Sequence, residues 1–144
     1  MKKSLYIFFI YFLLLNKSFA LIEVDITRGN LDPLPIAVSP LHVDIKSEDY
    51  KDLKVKNLGS EIAKIIEKNF KNTGLFNPLK KDAFVQKPDI AHLKPRFEDW
   101  RLIKAQALVT GKILIKNDKL KVEFRLWDLT AAQEMTALAF TTTP

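Results

Sequence analysis

The sequence predicts a small α/β domain with a mixed, partly antiparallel sheet and helices on its faces. Three patterns carry that expectation: one strong helical stripe between residues 58 and 70, a hairpin pattern over residues 107–126, and short apolar runs at 35–38 and 75–79 on either side of the helix. Strands and helices that alternate, followed by paired strands, describe a sheet in which parallel and antiparallel neighbours mix.

The chain opens outside that domain. Lys2 and Lys3 precede an 11-residue apolar run, residues 5–15, and the polar stretch 16–18 leads to Phe19 and Ala20. A charged start, an apolar middle and small residues at −3 and −1 (Ser18 and Ala20) have the form of a secretory leader cut between Ala20 and Leu21. The apolar run is much shorter than the roughly 20 residues of a membrane-crossing helix. The expected location is therefore the periplasm, as a soluble protein after cleavage. The sequence contains no Cys, hence neither a disulfide nor a thiol that could carry a lipid. Removing residues 1–20 leaves 144 − 20 = 124 residues, enough for one domain. The expected division is leader 1–20, exposed N-terminal interaction segment 21–33, and α/β domain 34–144. The net charge of +6 includes Lys2, Lys3 and Lys17, so the remainder carries +3. Its lysines are scattered between acids, as on a solvated surface. Nucleic-acid binding wants a clustered basic stripe, so no nucleic-acid partner is expected.

In chain order, Ile22, Val24 and Ile26 alternate with Glu23, Asp25 and Thr27, the period of a half-buried strand. Gly29, Asn30, Asp32 and Pro33 break it. Residues 35–38 read as a buried strand ended by Ser39 and Pro40, and the charged stretch 44–56 reads as a loop. The helix is expected from Asn57, whose side chain can cap free N–H groups. Leu58, Ile62, Ile65, Ile66 and Phe70 form its apolar stripe, and Gly74 sits where a C-terminal cap belongs. Residues 75–79 are a short strand. Residues 80–95 are a loop with a helical turn near 83–85, punctuated by Pro88 and Pro95. A second short helix over 97–105 places Trp100, Ile103 and Phe97 on one face. The hairpin 107–115 and 120–126 turns at Asn117 and Asp118. Leu120, Val122, Phe124 and Leu126 point one way, and Lys121, Glu123, Arg125 and Trp127 the other. Trp127 is either covered by a helix on the second face or exposed to a partner. Residues 133–141 form the last strand.

The residues of ordinary catalysis do not assemble. His42 and His92 stand fifty residues apart without a metal-ligand spacing and read as two unrelated loop histidines. Ser39 and Ser47 lack the setting of an activated nucleophile. Gly59 and Gly111 belong to no phosphate-binding loop. Glu48 with Asp49, and Glu98 with Asp99, read as helix-start charges. Neither an enzyme, a cofactor, a metal nor a small-molecule substrate is expected. The class is an exported interaction domain, the alternative being an unrelated small periplasmic ligand-binding domain.

Residues 22–29 (IEVDITRG), 35–38 (PIAV), 74–79 (GLFNPL), 97–101 (FEDWR), 105–111 (AQALVTG) and 122–128 (VEFRLWD) occur in the order found in the TolB family. The chain resembles that family from the start of the mature protein, over nearly all of its length. TolB is the periplasmic component of the Tol–Pal envelope system. The resemblance implies an N-terminal α/β domain similar to the anticodon-binding domains of some tRNA synthetases, followed by a β-propeller that binds the lipoprotein Pal. It also implies that the segment Ile22, Glu23, Val24, Asp25, Ile26, Thr27, Arg28 and Gly29 contacts the C-terminal domain of TolA, and that the system supports outer-membrane integrity and constriction at division. Alternation supports such a role physically, since an extended segment can add to a partner's open sheet edge. The sequence stops at Pro144 with no blade-like repeats of about 40 residues. A domain incomplete at its C-terminal end is therefore expected, with Pal reached only through a propeller absent from this sequence.

Overall fold

The computed structural model describes residues 32–45, 53–116 and 119–143. In chain order they form β1 (Leu34–Val38), β2 (His42–Ile45), α1 (Leu53–Thr73), β3 (Phe76–Pro78), a 3-10 turn (Lys81–Ala83), α2 (Pro88–Ala91), α3 (Phe97–Leu102), β4 (Ala107–Lys116), β5 (Lys119–Asp128) and β6 (Gln133–Thr142). The six strands make one mixed sheet in the order β3-β1-β4-β5-β6, with β2 also paired to β4. β1 runs parallel to β3 and β4, while β4, β5 and β6 form an antiparallel meander.

β1 and β2 share one edge of β4, opposite residues 107–109 and 112–115 respectively. Pro40, which has no N–H to give a ladder, stands between them. The Ser39 N–H still reaches the Val109 carbonyl at 2.9 Å, but the Leu41 N–H turns to the Gly59 carbonyl of α1 at 3.1 Å. Leu41 thereby enters the core. A Cβ on Gly59 would lie 2.0 Å from the Leu41 carbonyl oxygen, and one on Gly111 would lie 2.9 Å from Leu41 Cγ and 2.5 Å from the Glu123 carbonyl oxygen. Leu41 thus fits a slot that two glycines leave open.

The sheet is covered on both faces except at β6. On one, Ile36, Val38, Val109, Ile113, Ile115 and Val122 are buried under α1, which contributes Leu58, Ile62, Ala63, Ile66 and Phe70. On the other, Ala37, Leu108, Trp127 and Leu129 pack with Trp100 of α3, Phe97, Ile103 and Phe84. The predicted hairpin register holds: Val122 is buried in the first cluster with Leu120, Phe124 and Leu126 against it, and Trp127 lies in the second.

Four expectations are corrected. The stretch 44–56 is not all loop: β2 continues through Ile45, and α1 begins at Leu53, so Asn57 is inside the helix rather than its cap. Four residues are too short a strand to show a period, and tertiary pairing with β4 supplies what local pattern lacks. Ile65, placed on the buried stripe, is exposed, because helical spacing sets it at the margin of the arc defined by Leu58, Ile62, Ile66 and Phe70. The turn near 83–85 is the 3-10 turn two residues earlier, joined by α2, which starts at Pro88; proline suits a first helical position, where no N–H partner exists. The histidines also differ from expectation, as described below. The strand over 22–26, the Asn117-Asp118 turn and Ser47, Glu48 and Asp49 lie outside the described residues.

Candidate interaction site

The ten residues singled out by sequence, Ala20 and Leu21 at the expected cut and Ile22, Glu23, Val24, Asp25, Ile26, Thr27, Arg28 and Gly29 beyond it, lie outside the described residues. The place where that segment meets the domain is described. Asp32 and Pro33 are exposed, and the Leu34 N–H donates to the Leu75 carbonyl at 2.9 Å as β1 begins between β3 and β4. Leu75 follows Gly74, whose φ of +71° suits glycine and ends α1. The Thr73 hydroxyl donates to the Phe70 carbonyl at 2.7 Å and accepts the Leu75 N–H at 3.2 Å. The start of β1 therefore lies beside the turn between α1 and β3.

The other family-like motifs divide between the two faces, and the aromatic ones anchor the second. Trp100 is buried, its indole N–H donating 2.9 Å to Gln86 Oε1, which also accepts the Arg96 N–H at 3.0 Å. Phe84 meets Trp100 edge-on at 5.0 Å, and Phe97 meets Trp127 at 5.9 Å. The Trp127 indole donates 2.9 Å to the Thr110 hydroxyl, both buried. Of the two readings of Trp127, the covered one is correct. Arg101 ties α3 to the β5–β6 connection through the Leu129 carbonyl at 2.6 Å and pairs with Glu98 at 2.6 Å. Asp128 Oδ1 accepts the N–H groups of Thr130 and Ala131, both at 2.8 Å, and sets the β5–β6 turn.

The two histidines are neither unrelated nor both in loops. His42 lies in β2 and His92 caps α2, with their rings stacked 4.4 Å apart and 5° from parallel. His92 Nδ1 is 3.0 Å from the Pro88 carbonyl, and Arg125 Nη1 donates to the His92 carbonyl at 3.3 Å. Burial first, then the charges of His92 and Lys112, hold the His42 imidazole below its ordinary range. Nitrogen lone pairs in parallel stacked rings do not converge on one cation. No group of three or more His, Cys, Asp or Glu side chains able to hold a metal occurs among the described residues. The Ser39 hydroxyl is buried and donates to the Pro40 carbonyl at 3.2 Å, a structural contact. No spacing rule joins residues 42 and 92, so only their meeting in space reveals the pair.

What the domain offers instead is surface. β6 ends the sheet, all ten of its residues are exposed, and Met135, Leu138 and Phe140 are among them. A family model described as the TolB amino-terminal domain matches residues 22–135. The chain belongs to the TolB amino-terminal domain family. It is 62% identical over 141 residues to the Tol-Pal system protein TolB of Pelagibacter ubique, a match that takes in 96% of this chain and 32% of that protein. The chain thus spans about a third of the relative's length. The crystal structure of TolB from Acinetobacter baumannii shares the fold, with a TM-score of 0.55 and 18% identity over 78% of this chain and 24% of that one. The LpoB C-terminal domain of Salmonella enterica shares it too, with a TM-score of 0.58 and 9% identity over 81% and 87% of the two chains.

Proposed function

We propose that the chain is a protein–protein interaction module of the Tol–Pal system in the periplasm, exported by a leader over residues 1–20. Residues 22–29 are its docking segment for the C-terminal domain of TolA. The α/β domain passes that contact on to a propeller, outside this sequence, that engages Pal. Its role is outer-membrane integrity and constriction during division. The observation that carries the reading is the family match, which begins at Ile22, the first residue of the alternating segment. One further feature supports it: Asp32 and Pro33, which separate residues 22–29 from β1 in the sequence, are exposed, and proline stops a strand ladder from running on.

Calorimetric titration of TolA's C-terminal domain into the purified protein tests the docking segment. Deleting residues 22–28 should abolish binding while the far-ultraviolet circular dichroism stays that of the wild type. Val24→Asp should act similarly, because it sets a charge where a partner's sheet would bury a valine. Full binding by the folded deletion variant would exclude the segment. The leader is tested by N-terminal sequencing of exported protein, expected to begin at Leu21.

A further inference from the structure

Lysines that look scattered in the sequence gather in space. α1 and the chain after β3 enclose an open groove of about 400 Å³ lined by Lys64, Glu67, Lys68, Lys71, Lys80 and Lys81. The helical period brings Lys64, Lys68 and Lys71 to one side of α1. The reversal at Gly74 sets Lys80 and Lys81 opposite. Five ammonium groups share the groove with one carboxylate. That carboxylate only partly satisfies its neighbour: Lys81 Nζ and Glu67 Oε1 form an ion pair at 3.5 Å, and both atoms are buried without a hydrogen bond. An ammonium has three donors to place, and buried polar atoms are rarely left without partners. Clustered like charges also repel until an anion joins them.

We propose that this groove docks an extended acidic peptide segment of a protein partner, with carboxylates at alternate positions. The spacing favours this ligand. Lys64 to Lys71 spans seven residues of helix, about 10 Å at 1.5 Å per residue. Alternate side chains of an extended peptide repeat every 6.6 Å or so. Two or three alternate carboxylates therefore match the row on α1, and Lys80 and Lys81 face them from the other wall. Pro78 in the bordering strand β3 has no N–H, so the peptide is held by charge rather than by sheet extension. A flat lipid surface would touch only the rims of the groove, whereas an extended peptide can lie along it. This docking does not depend on residues 22–29, so its success or failure is separate from that of the TolA reading.

The test is fluorescence anisotropy of the purified protein with a labelled peptide of alternating Glu and Ser, in low salt where surface charge is least screened. Lys64→Gln, Lys68→Gln and Lys71→Gln together, all at exposed positions, should weaken binding about tenfold, or about 1.4 kcal/mol. The matched triple Lys116→Gln, Lys119→Gln and Lys121→Gln, at the lysines around the tip of the β4–β5 hairpin, should change it less than about twofold on the same scale. Lys68→Gln alone should give an intermediate loss, with an unchanged thermal melt. A peptide with its Glu residues in one block should bind more weakly than the alternating one. Equal loss in both triples would overturn the proposal, as would indifference to Glu spacing. So would binding of inorganic pyrophosphate or phosphatidylglycerol vesicles as tight as that of the alternating peptide.

Discussion

β4 and β6 are both ten-residue strands of one sheet, and they lead opposite lives. β4 buries most of its side chains, with Leu108 and Ile113 fully inaccessible, whereas β6 leaves Leu138 56% and Phe140 58% exposed. Hydrophobicity alone does not explain it, since β6 also carries large apolar residues, though fewer than β4. Position does. β4 has β1 and β2 on one edge, β5 on the other, α1 above and α3 below. β6 touches β5 alone within the sheet, and Phe140 stays exposed although it stands opposite Val122 and its ring lies 6.2 Å from that of Phe124. The lesson is that a strand's energetic worth is set by its neighbours as well as by its own composition.

Matched substitutions put that lesson at risk. The largest contrast should come from removing the same side chain in each strand. Leu108→Ala leaves a cavity among Trp100, Trp127 and Leu129 and should cost about 2–5 kcal/mol. Leu138→Ala should stay within about 0.5 kcal/mol, as surface changes usually do. Urea denaturation of both variants measures the gap, and similar midpoints would erase the distinction between the strands. Adding bulk should give a smaller contrast. Gly111→Ala drives a methyl to 2.5 Å from the Glu123 carbonyl oxygen and should cost about 1–3 kcal/mol. Ala139→Val on exposed β6 should be neutral or slightly stabilising, since branched side chains suit strands. A tolerated Gly111→Ala would show that the β4–β5 seam can relax.

The smallest effect concerns pH. His42 holds the β2 edge of β4, facing His92, Lys112, Asp44 and Asp89. Its folded pKa lies below the ordinary 6.5, so the unfolded chain takes up the proton first as acid is added. The stability it preserves is complete above 6.5 and is lost as pH falls from there through the lowered value. Thermal melts of the wild type should therefore decline across that window more steeply than those of His42→Gln. Parallel profiles would mean that the imidazole titrates alike in both states.

Much of the fold was legible because period alone writes it. The stripe Leu58, Ile62, Ile66 and Phe70 needed one helix, and the alternation from Leu120 to Trp127 set both faces of β5 correctly. What could not be read was joined through space. β2 is defined by its ladder to β4, not by its four residues. The His42–His92 stack and the lysine groove each unite residues that the sequence holds apart, Lys71 and Lys80 meeting only because Gly74 reverses the chain. Residues 22–29 are the converse case: their alternation is visible in the sequence, while the docking role proposed for them is a matter for binding measurements.

The register of the central strand also implies an order of assembly. β4 pairs with β5 through a two-residue connection, but it pairs with β1 across 107 − 36 = 71 positions. Closing a short loop is entropically cheap and fast, while distant pairings must wait for a long closure. The expectation is that the β4–β5–β6 meander nucleates and that β1, with α1 in tow, condenses on it later. A nascent chain would then show one bare edge of β4 for as long as that second step lasts. Pulse-labelled hydrogen exchange would reveal protection in β5 before β1; simultaneous protection would point to a single concerted collapse. The most sheltered strand of the finished domain would thus be, for a time, its most vulnerable.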